Sequence, residues 1–177
     1  MKIERRFHPA QVEIHSSPAR FRVVDAGRRF GKTRLGVWEC VEVALAGGRA
    51  WWVAPSYPIS KVGWRPLRKI GRQIPGAQVN LSDTSVIFPG GGEVRVRSAD
   101  NPDSLRGDGL DFVVMDECAF MKPGAWAEAL RPALSDKLGR ALFISTPRGR
   151  NWFWELYQRG VRGEEGYQSF TFPTASN

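Results

Sequence analysis

Short apolar runs recur along the chain, and segments of helical or turn character separate them. Each run is rich in Val, Phe, Trp, Ile and Ala, which is typical of strands buried inside a sheet. The predicted strands are residues 21–25, 50–54, 111–115 and 141–145. Strand, helix and strand follow one another from residue 21 to residue 54. Such a βαβ unit predicts an α/β fold with a parallel sheet.

Helical spacing of apolar residues is clearest over residues 32–46, and two glycines stop the helix there. A second helix is expected over residues 61–72, with a break near Pro66, because proline cannot donate a helical hydrogen bond. Further helical stretches are predicted at residues 126–134 and 152–157. Helices between strands would cover the faces of the sheet.

The remaining segments complete the expected organisation. Residues 1–20 are polar, with little periodicity, and are interpreted as a lead-in segment. Residues 77–97 alternate apolar and polar positions around a glycine turn, which predicts a small β-hairpin insertion formed by residues 85–88 and 93–97. With 177 residues the chain has the length of one domain. We expect a core over 21–160, then a C-terminal strand and the start of a linker over 161–177.

Composition excludes several classes of protein. Apolar residues make up 42% and charged residues 25%, as in ordinary globular proteins, so wholesale disorder is not expected. No apolar run approaches the ~18 residues that a membrane span needs. Two cysteines are too few for a disulfide framework and favour a reducing compartment. The net charge of +8 suggests a polyanionic partner, most simply nucleic acid.

The strongest chemical signal lies between the first strand and the first helix. Residues 26–33 read Ala-Gly-Arg-Arg-Phe-Gly-Lys-Thr, which follows the phosphate-loop pattern G-x-x-x-x-G-K-[ST] except that Ala26 replaces the first glycine. Backbone N–H groups of such a loop surround phosphates. Lys32 would contact the β- and γ-phosphates, and Thr33 would offer a hydroxyl to Mg²⁺. A helix start that binds no nucleotide is the alternative.

An acidic pair follows the third predicted strand. Asp116 and Glu117 come directly after four apolar residues. In a phosphate-loop NTPase the first acid holds Mg²⁺, and the second can polarise the attacking water. Asp116 is therefore the predicted metal residue and Glu117 the predicted general base. Taken alone, an acidic pair after a strand is often only a helix N-terminus.

Two further features could serve phosphoryl transfer. Ser145 and Thr146 follow the fourth strand, where hydroxyls can sense the γ-phosphate or hold the attacking water, although Ser-Thr-Pro alone is only a turn. Phosphoryl transfer also needs a cation beyond Mg²⁺ to stabilise the negative charge that develops on the transferring group, and an arginine finger can come from the same chain or a neighbour. Arg28, Arg29 and Arg106 compete for that role, and Arg29 is assigned to the surface.

Together these motifs resemble the ATPase domain of the large subunit of tailed-phage terminases, the motor that packages DNA into procapsids. The resemblance covers residues 7–160. It is carried by residues 27–33, 54–57, 105–107, 112–119, 144–149 and 151–153. It implies a RecA-like P-loop NTPase of the additional-strand, catalytic-glutamate type, with a mainly parallel sheet flanked by helices. ATP would be the substrate and Mg²⁺ its companion.

The resemblance also implies roles for individual residues. Gln11 would read adenine as part of a Q-motif, Arg28 would be the phosphate-loop arginine, and Arg106 the finger offered to the adjacent subunit. Ser145 and Thr146 would form the coupling motif that links hydrolysis to movement. The implied nucleotide-binding set is Gln11, Gly27, Arg28, Arg29, Phe30, Gly31, Lys32, Thr33 and Tyr57.

The implied partners are double-stranded DNA, identical subunits in a ring, usually of five, on the procapsid, the portal protein and the small terminase subunit. The compartment would be the infected host cytoplasm, without membrane association. Contacts to DNA phosphates are expected from Lys61, Arg65, Arg68, Lys69, Arg72, Arg148 and Arg150. Four tryptophans, Trp51, Trp52, Trp152 and Trp154, are expected to pack in the core, because a duplex offers no free base to stack on.

The sequence departs from the family in two respects, of which the replacement of the first loop glycine by Ala26 is the lesser. Members usually continue into a nuclease domain with an acidic metal cluster, and no such cluster follows residue 160. The expectation is an isolated ATPase domain, with a packaging ATPase without nuclease as the alternative. Two other functions stay open, a helicase-type ATPase and a non-catalytic basic DNA-binding module on a decayed nucleotide fold.

Overall fold

The computed structural model describes residues 5–173. Its strands are β1 (Phe21–Ala26), β2 (Arg49–Ala54), β3 (Gln78–Asn80), β4 (Ser85–Ile87), β5 (Glu93–Ser98), β6 (Phe112–Asp116), β7 (Arg140–Ser145) and β8 (Tyr167–Phe172). Its α-helices are α1 (Pro9–Ser16), α2 (Lys32–Leu45), α3 (Tyr57–Gln73), α4 (Arg131–Ala133) and α5 (Trp152–Val161). Short 3₁₀ turns cover Pro102–Leu105 and Cys118–Phe120, and a π-helical segment covers Ala125–Leu130.

Within this described part, the strands form one eight-stranded sheet in the order β3-β4-β5-β2-β6-β7-β1-β8. The strands from β5 to β8 in that order all run parallel, and β3 and β4 add an antiparallel pair at one edge. The predicted hairpin is therefore no separate insertion. Its second strand, β5, pairs with β2, so the hairpin extends the central sheet.

The strand order decides where the chemistry gathers. β7 lies between β1 and β6, so an additional strand separates the strand of the phosphate loop from the strand of the acidic pair. Because β1, β6 and β7 are parallel, the loops that follow them leave from the same edge of the sheet. This edge is the one at which α/β proteins place ligands.

Apolar residues cover both faces of the sheet. On one face α2 and α3 pack on Val24, Trp52 and Val114, and on the other α5 and the segment after β6 pack on Trp51 and Val113. The two neighbouring tryptophans point to opposite faces, as alternate strand residues do. Both are 1% exposed, which confirms their prediction as core residues.

The prediction that all four tryptophans pack in the core was wrong for Trp154, which lies on α5 and is 38% exposed. Trp152 is half-buried, and its indole N–H donates to the carbonyl of Met121 at 2.8 Å.

Two predicted helices differ from their expected form. α3 runs from Tyr57 to Gln73 without the break expected at Pro66. Pro66 has no N–H to donate to the carbonyl of Val62, four residues earlier, and Val62 is exposed. Trp64 and Leu67 are buried on the opposite side of the helix. Burial of that face offsets the lost bond.

The helix predicted over 126–134 begins as a π-helix. The N–H of Arg131 bonds to the carbonyl of Trp126, five residues back. Pro132 follows directly and has no N–H to continue an α-helical ladder. The wider turn therefore precedes the proline.

The lead-in segment contains a helix that was not predicted, whereas the strand expected after residue 160 is present as β8. The lead-in contains α1, whose Ile14 is fully buried in the core. At the other end α5 ends at Val161, and β8 pairs in parallel with β1. The linker start was predicted over residues 173–177, of which residues 174–177 lie outside the described residues. No helix within residues 5–173 combines the length and apolar character that membrane crossing requires.

Candidate functional site

The loop over residues 27–31 joins β1 to α2, which begins at Lys32. Gly31 has a φ of 85°, a left-handed conformation that favours glycine. A Cβ at this position would also lie 2.6 Å from Nε2 of Gln11. The loop therefore needs glycine at position 31 for two reasons.

Lys32 turns its side chain back into this loop. Its Nζ donates to the carbonyls of Ala26 and Gly27 at 2.6 and 2.8 Å. Burial lowers the pKa of Lys32, while the charges of Glu117, Asp116 and Asp25 act in the opposite direction. The ammonium thus lies among the three carboxylates at the end of β1 and β6.

Asp116 and Glu117 end β6 beside this lysine. Asp116 is 4% exposed, and burial together with the negative charge of Glu117 raises its pKa to about 7. Glu117 has a φ of 49°, which is unusual for a residue with a side chain. The chain therefore turns sharply after Asp116. The two carboxylates lie close together, and the ionised form of Asp116 is disfavoured there.

The segment after β7 contacts the acidic pair directly. The Thr146 hydroxyl donates to Oε2 of Glu117 at 3.1 Å. Ser145 is fully buried, accepts a hydrogen bond from the N–H of Ala119 at 3.3 Å and donates to the carbonyl of Thr146 at 3.1 Å. The two hydroxyls therefore connect the turn after β6 with the turn after β7.

Helix α1 supports the phosphate loop from behind. Gln11 is 2% exposed, and its Nε2 donates to the carbonyls of Gly31 at 3.0 Å and Phe30 at 3.4 Å. Its Oε1 accepts from the N–H of His8 at 3.1 Å. Both ends of the Gln11 amide are thus bonded within the chain, and adenine would have to compete with these bonds.

Sequence reasoning missed three residues of this site. His8 caps α1, and its Nε2 lies 2.8 Å from the carbonyl of Phe30. Asp25 precedes the loop, and burial raises its pKa against the lowering charge of Lys32. Phe172 stacks on Phe30, and its carbonyl accepts from the N–H of Gly27 at 3.2 Å. His8 followed by Pro9 and Gln11 was a readable capping pattern, whereas no local signal pointed to Phe172.

The three candidate arginines lie in different environments. Arg28 is exposed in the loop and close enough to Lys32 for its charge to lower the pKa of that lysine. Arg29 is exposed with a φ of 68°. Arg106 lies elsewhere, in ion pairs with Asp103 and Glu128. The structure therefore does not bring Arg106 to the phosphate loop of its own chain.

The remaining predicted residues lie on α3 and after β7. Tyr57, at the start of α3, is exposed, and its ring contacts the ammonium of Lys61. The spacing of the α3 cations places them along one side of the helix, and none has an acidic partner among the described residues. These cations are Lys61, Arg65, Arg68, Lys69 and Arg72. Past β7, Arg148 stacks on Phe120 and Arg150 on Trp154.

The oxygen donors at the sheet edge suit magnesium rather than a metal held by protein alone. Within residues 5–173, no group of three or more His, Cys, Asp or Glu side chains could hold a metal ion. Asp116 and Thr33 offer one buried carboxylate and one hydroxyl beside the loop. Mg²⁺ takes oxygen ligands, and in nucleotide complexes one or two protein ligands are commonly completed by phosphates and waters. The carboxylate of Asp116 and the hydroxyl of Thr33 therefore fit the Mg²⁺ of a nucleotide complex.

Comparison with known proteins agrees with this geometry. A family model described as terminase large subunit, T4likevirus-type, N-terminal, matches residues 24–177. The chain belongs to the terminase large subunit family. It is 38% identical over 178 residues to the terminase large subunit of Thermus virus P23-45, covering 88% of this chain and 37% of that one. Its identity to the terminase large subunit of Escherichia phage T5 is 35% over 150 residues, covering 80% and 33%.

Solved terminase structures share the fold. The large terminase ATPase domain of Thermus phage P74-26 superimposes with a TM-score of 0.80 at 33% identity, over 94% of this chain and 80% of that one. The HK97 large terminase has a TM-score of 0.78 at 13% identity, over 98% and 40%, which is a likeness of fold alone. The chain thus spans about a third of the length of the terminase large subunits it matches, within their N-terminal part.

Proposed function

We propose that this terminase segment hydrolyses ATP and that hydrolysis drives double-stranded DNA into a viral procapsid. The observation that supports it is the convergence of Lys32, Asp116, Glu117 and Thr146 at one sheet edge, from three parallel strands. The related domain of Thermus phage P74-26 is described as an ATPase domain, which agrees with this proposal.

In this proposal the loop holds the triphosphate. Backbone N–H groups at the start of α2 surround the phosphates, and Lys32 exchanges its bonds to Ala26 and Gly27 for phosphate oxygens. Thr33 and Asp116 would hold the Mg²⁺ that accompanies ATP, and this ion would neutralise charge on the phosphates. The three carboxylates around Lys32 keep the loop from attracting anions without a metal.

Glu117 is the proposed general base. Its carboxylate accepts the proton of the attacking water, and the hydroxyl of Thr146 fixes the position of its Oε2. Ser145 and Thr146 then transmit a change at Glu117 to the segment that leads into α5. This is the proposed coupling between hydrolysis and movement.

Arg106 is the proposed finger for the neighbouring subunit, since it lies away from its own Lys32 and is exposed on the surface. Such a residue requires assembly, proposed here as a ring of five subunits on the portal of the procapsid, with the small terminase subunit as a further partner in the host cytoplasm. Arg28, in the loop, supplies a positive charge from within the same chain.

The cations of α3, with Arg148 and Arg150, are the proposed contacts to DNA. Contacts to phosphates do not depend on base sequence, which suits a motor that moves any duplex. Replacing Arg68 and Lys69 by Gln should lower the slope of log affinity against log salt by about one for each DNA phosphate that the chain no longer neutralises. An unchanged slope would assign DNA binding to another surface.

The decisive experiment compares ATP turnover of the parent and Glu117→Gln over a range of chain concentrations with duplex DNA present. Loss of a general base should lower turnover about 10²–10⁴-fold. Binding of a fluorescent ATP analogue should persist, because Glu117 does not hold the phosphates. Glu13→Gln, an exposed acid on α1, is the matched control. A non-catalytic DNA-binding module would give equal readings for all three chains.

A further inference from the structure

The proposed finger, Arg106, is already engaged by carboxylates of its own chain. Its Nε lies 3.2 Å from Oδ1 of Asp103, and its Nη2 lies 3.4 Å from Oε2 of Glu128. The two acids therefore bind two different nitrogens of one guanidinium. These are the groups with which an arginine recognises phosphate oxygens.

The three side chains project from anchored backbone. Asp103 lies in the 3₁₀ turn that ends at fully buried Leu105, and Glu128 lies on the π-helical segment between buried Trp126 and Ala129. The two elements pack against each other, so the acids keep their places when the arginine moves. Arg106 is 54% exposed, and a partner could reach it from solvent.

We propose that Asp103 and Glu128 form a cis clamp that holds Arg106 in a resting position until the triphosphate site of a neighbouring subunit displaces them. This rests on the proposed function of Arg106 as a finger. Exposed ion pairs contribute little stability, so the clamp opens easily. Triphosphate oxygens in a water-poor interface bind a guanidinium more strongly than an exposed carboxylate does.

The clamp has a consequence for regulation. A subunit outside the ring keeps its finger paired, and catalysis in its neighbour then requires a contact close enough to break both pairs. The acids raise the threshold for assembly-dependent turnover and do not take part in the reaction. Removing one acid should therefore lower that threshold without changing the maximal rate.

A mixing experiment isolates the finger from the site it serves. Arg106→Ala supplies an intact site without a finger, and Lys32→Ala supplies a finger without a working site. The Lys32→Ala chain is titrated into the Arg106→Ala chain while ATP turnover is measured. The same titration is repeated with Lys32→Ala chains that also carry Glu128→Gln or Asp103→Asn.

We expect each added substitution to lower the concentration for half-maximal turnover about two- to fivefold, the range for one exposed ion pair. The control is Asp136→Asn, because Asp136 lines the same cavity of about 320 Å³ without an ion pair to Arg106. An unchanged or raised half-maximal concentration for Glu128→Gln would overturn the clamp, as would an equal decrease for Asp136→Asn.

The outcome also distinguishes the clamp from the proposed function. If no Lys32→Ala chain restores turnover to Arg106→Ala, the finger assignment fails, and with it the basis of the clamp. A second measurement does not depend on turnover. The side-chain Nε–H resonance of Arg106 in the nucleotide-free chain should move on Asp103→Asn and stay in place on Asp136→Asn. An Arg106 resonance at the same position in the parent and in Asp103→Asn would contradict the clamp.

Discussion

Two groups of buried and half-buried charges lie at the two ends of β1, and they differ in how their charges are paired. Near the amino end of the strand, Arg22 donates to both carboxylate oxygens of Glu39, and His15 lies 3.1 Å from the same carboxylate. At the carboxyl end, the carboxylates of Asp25, Asp116 and Glu117 lie around the ammonium of Lys32. In the first group both oxygens of the Glu39 carboxylate accept from Arg22, although the buried Nε of Arg22 has no hydrogen-bond partner. In the second group the carboxylates outnumber the ammonium of Lys32.

The pKa shifts record this contrast. Burial alone would raise the pKa of Glu39, but the hydrogen bonds from His15 and Arg22 and the charge of Arg22 lower it overall. Burial raises the pKa values of Asp25 and Asp116, and Lys32 does not offset it. A carboxylate whose pKa is lowered in the fold adds stability when it is ionised, whereas a carboxylate whose pKa is raised costs stability when it is ionised.

Helix α1 contacts the first group and the phosphate loop that adjoins the second. Gln11 bonds to the phosphate loop, and His15, one turn further along, bonds to Glu39 on α2. The balanced charge pair therefore fixes the helix that supports the loop. The comparison teaches that the stable region positions the strained one.

The largest expected effect is a difference in stability between substitutions of the two buried carboxylates, Glu39 and Asp116. Glu39→Ala leaves the guanidinium of Arg22 buried without its partner and should lower the free energy of unfolding by about 3–5 kcal/mol. Asp116→Asn removes a charge that the fold disfavours and should cost far less. Urea unfolding of both variants at pH 7 measures the difference.

Glu42→Ala is the matched control, because Glu42 is a more exposed acid of the same helix, paired with Arg5 and His15. Its expected cost is about 0–1 kcal/mol. Equal losses for Glu39→Ala and Asp116→Asn would contradict the contrast between the two regions.

A smaller effect should come from the hydroxyl that holds the proposed general base. Thr146→Val keeps the shape of the side chain and removes the bond to Glu117, so we expect turnover to fall about tenfold, as for the loss of one hydrogen bond to a charged group. Thr146→Ser should restore most of it. The KM for ATP should change little, and if KM alone rises, Thr146 acts on binding instead.

The smallest effect is a dependence of stability on pH. Because the pKa of Glu39 is lowered in the fold, its contribution is complete above its ordinary value of 4.5 and is lost as the pH falls through the folded value. The parent should therefore lose more stability than Glu39→Gln between pH 5 and pH 3. Urea midpoints across this range test it, with His15, Arg22, Glu42 and Arg140 unchanged in both chains. If the urea midpoints of the two chains fall equally with pH, the loss of stability in acid is due to other carboxylates.

Much of the site could be predicted because its parts are local. Gly31 and Lys32 belong to one turn between a strand and a helix, and Asp116 ends an apolar run that only a buried strand explains. The resemblance to terminase large subunits, which the family match confirms, carried the same residues. By contrast, Pro66 misled the prediction, because the burial of Trp64 and Leu67 outweighs a broken hydrogen bond that only local reasoning counts.

The sequence alone determined the order of the strands along the chain, the phosphate loop and the acidic pair, since each depends on backbone geometry over a few neighbouring residues. Only the tertiary structure decided that β7 separates β1 from β6, that Thr146 bonds to Glu117, that Phe172 contacts the loop and that Arg106 is held by Glu128. These contacts join residues far apart in the chain. Their formation depends on how the sheet and its layers pack as a whole.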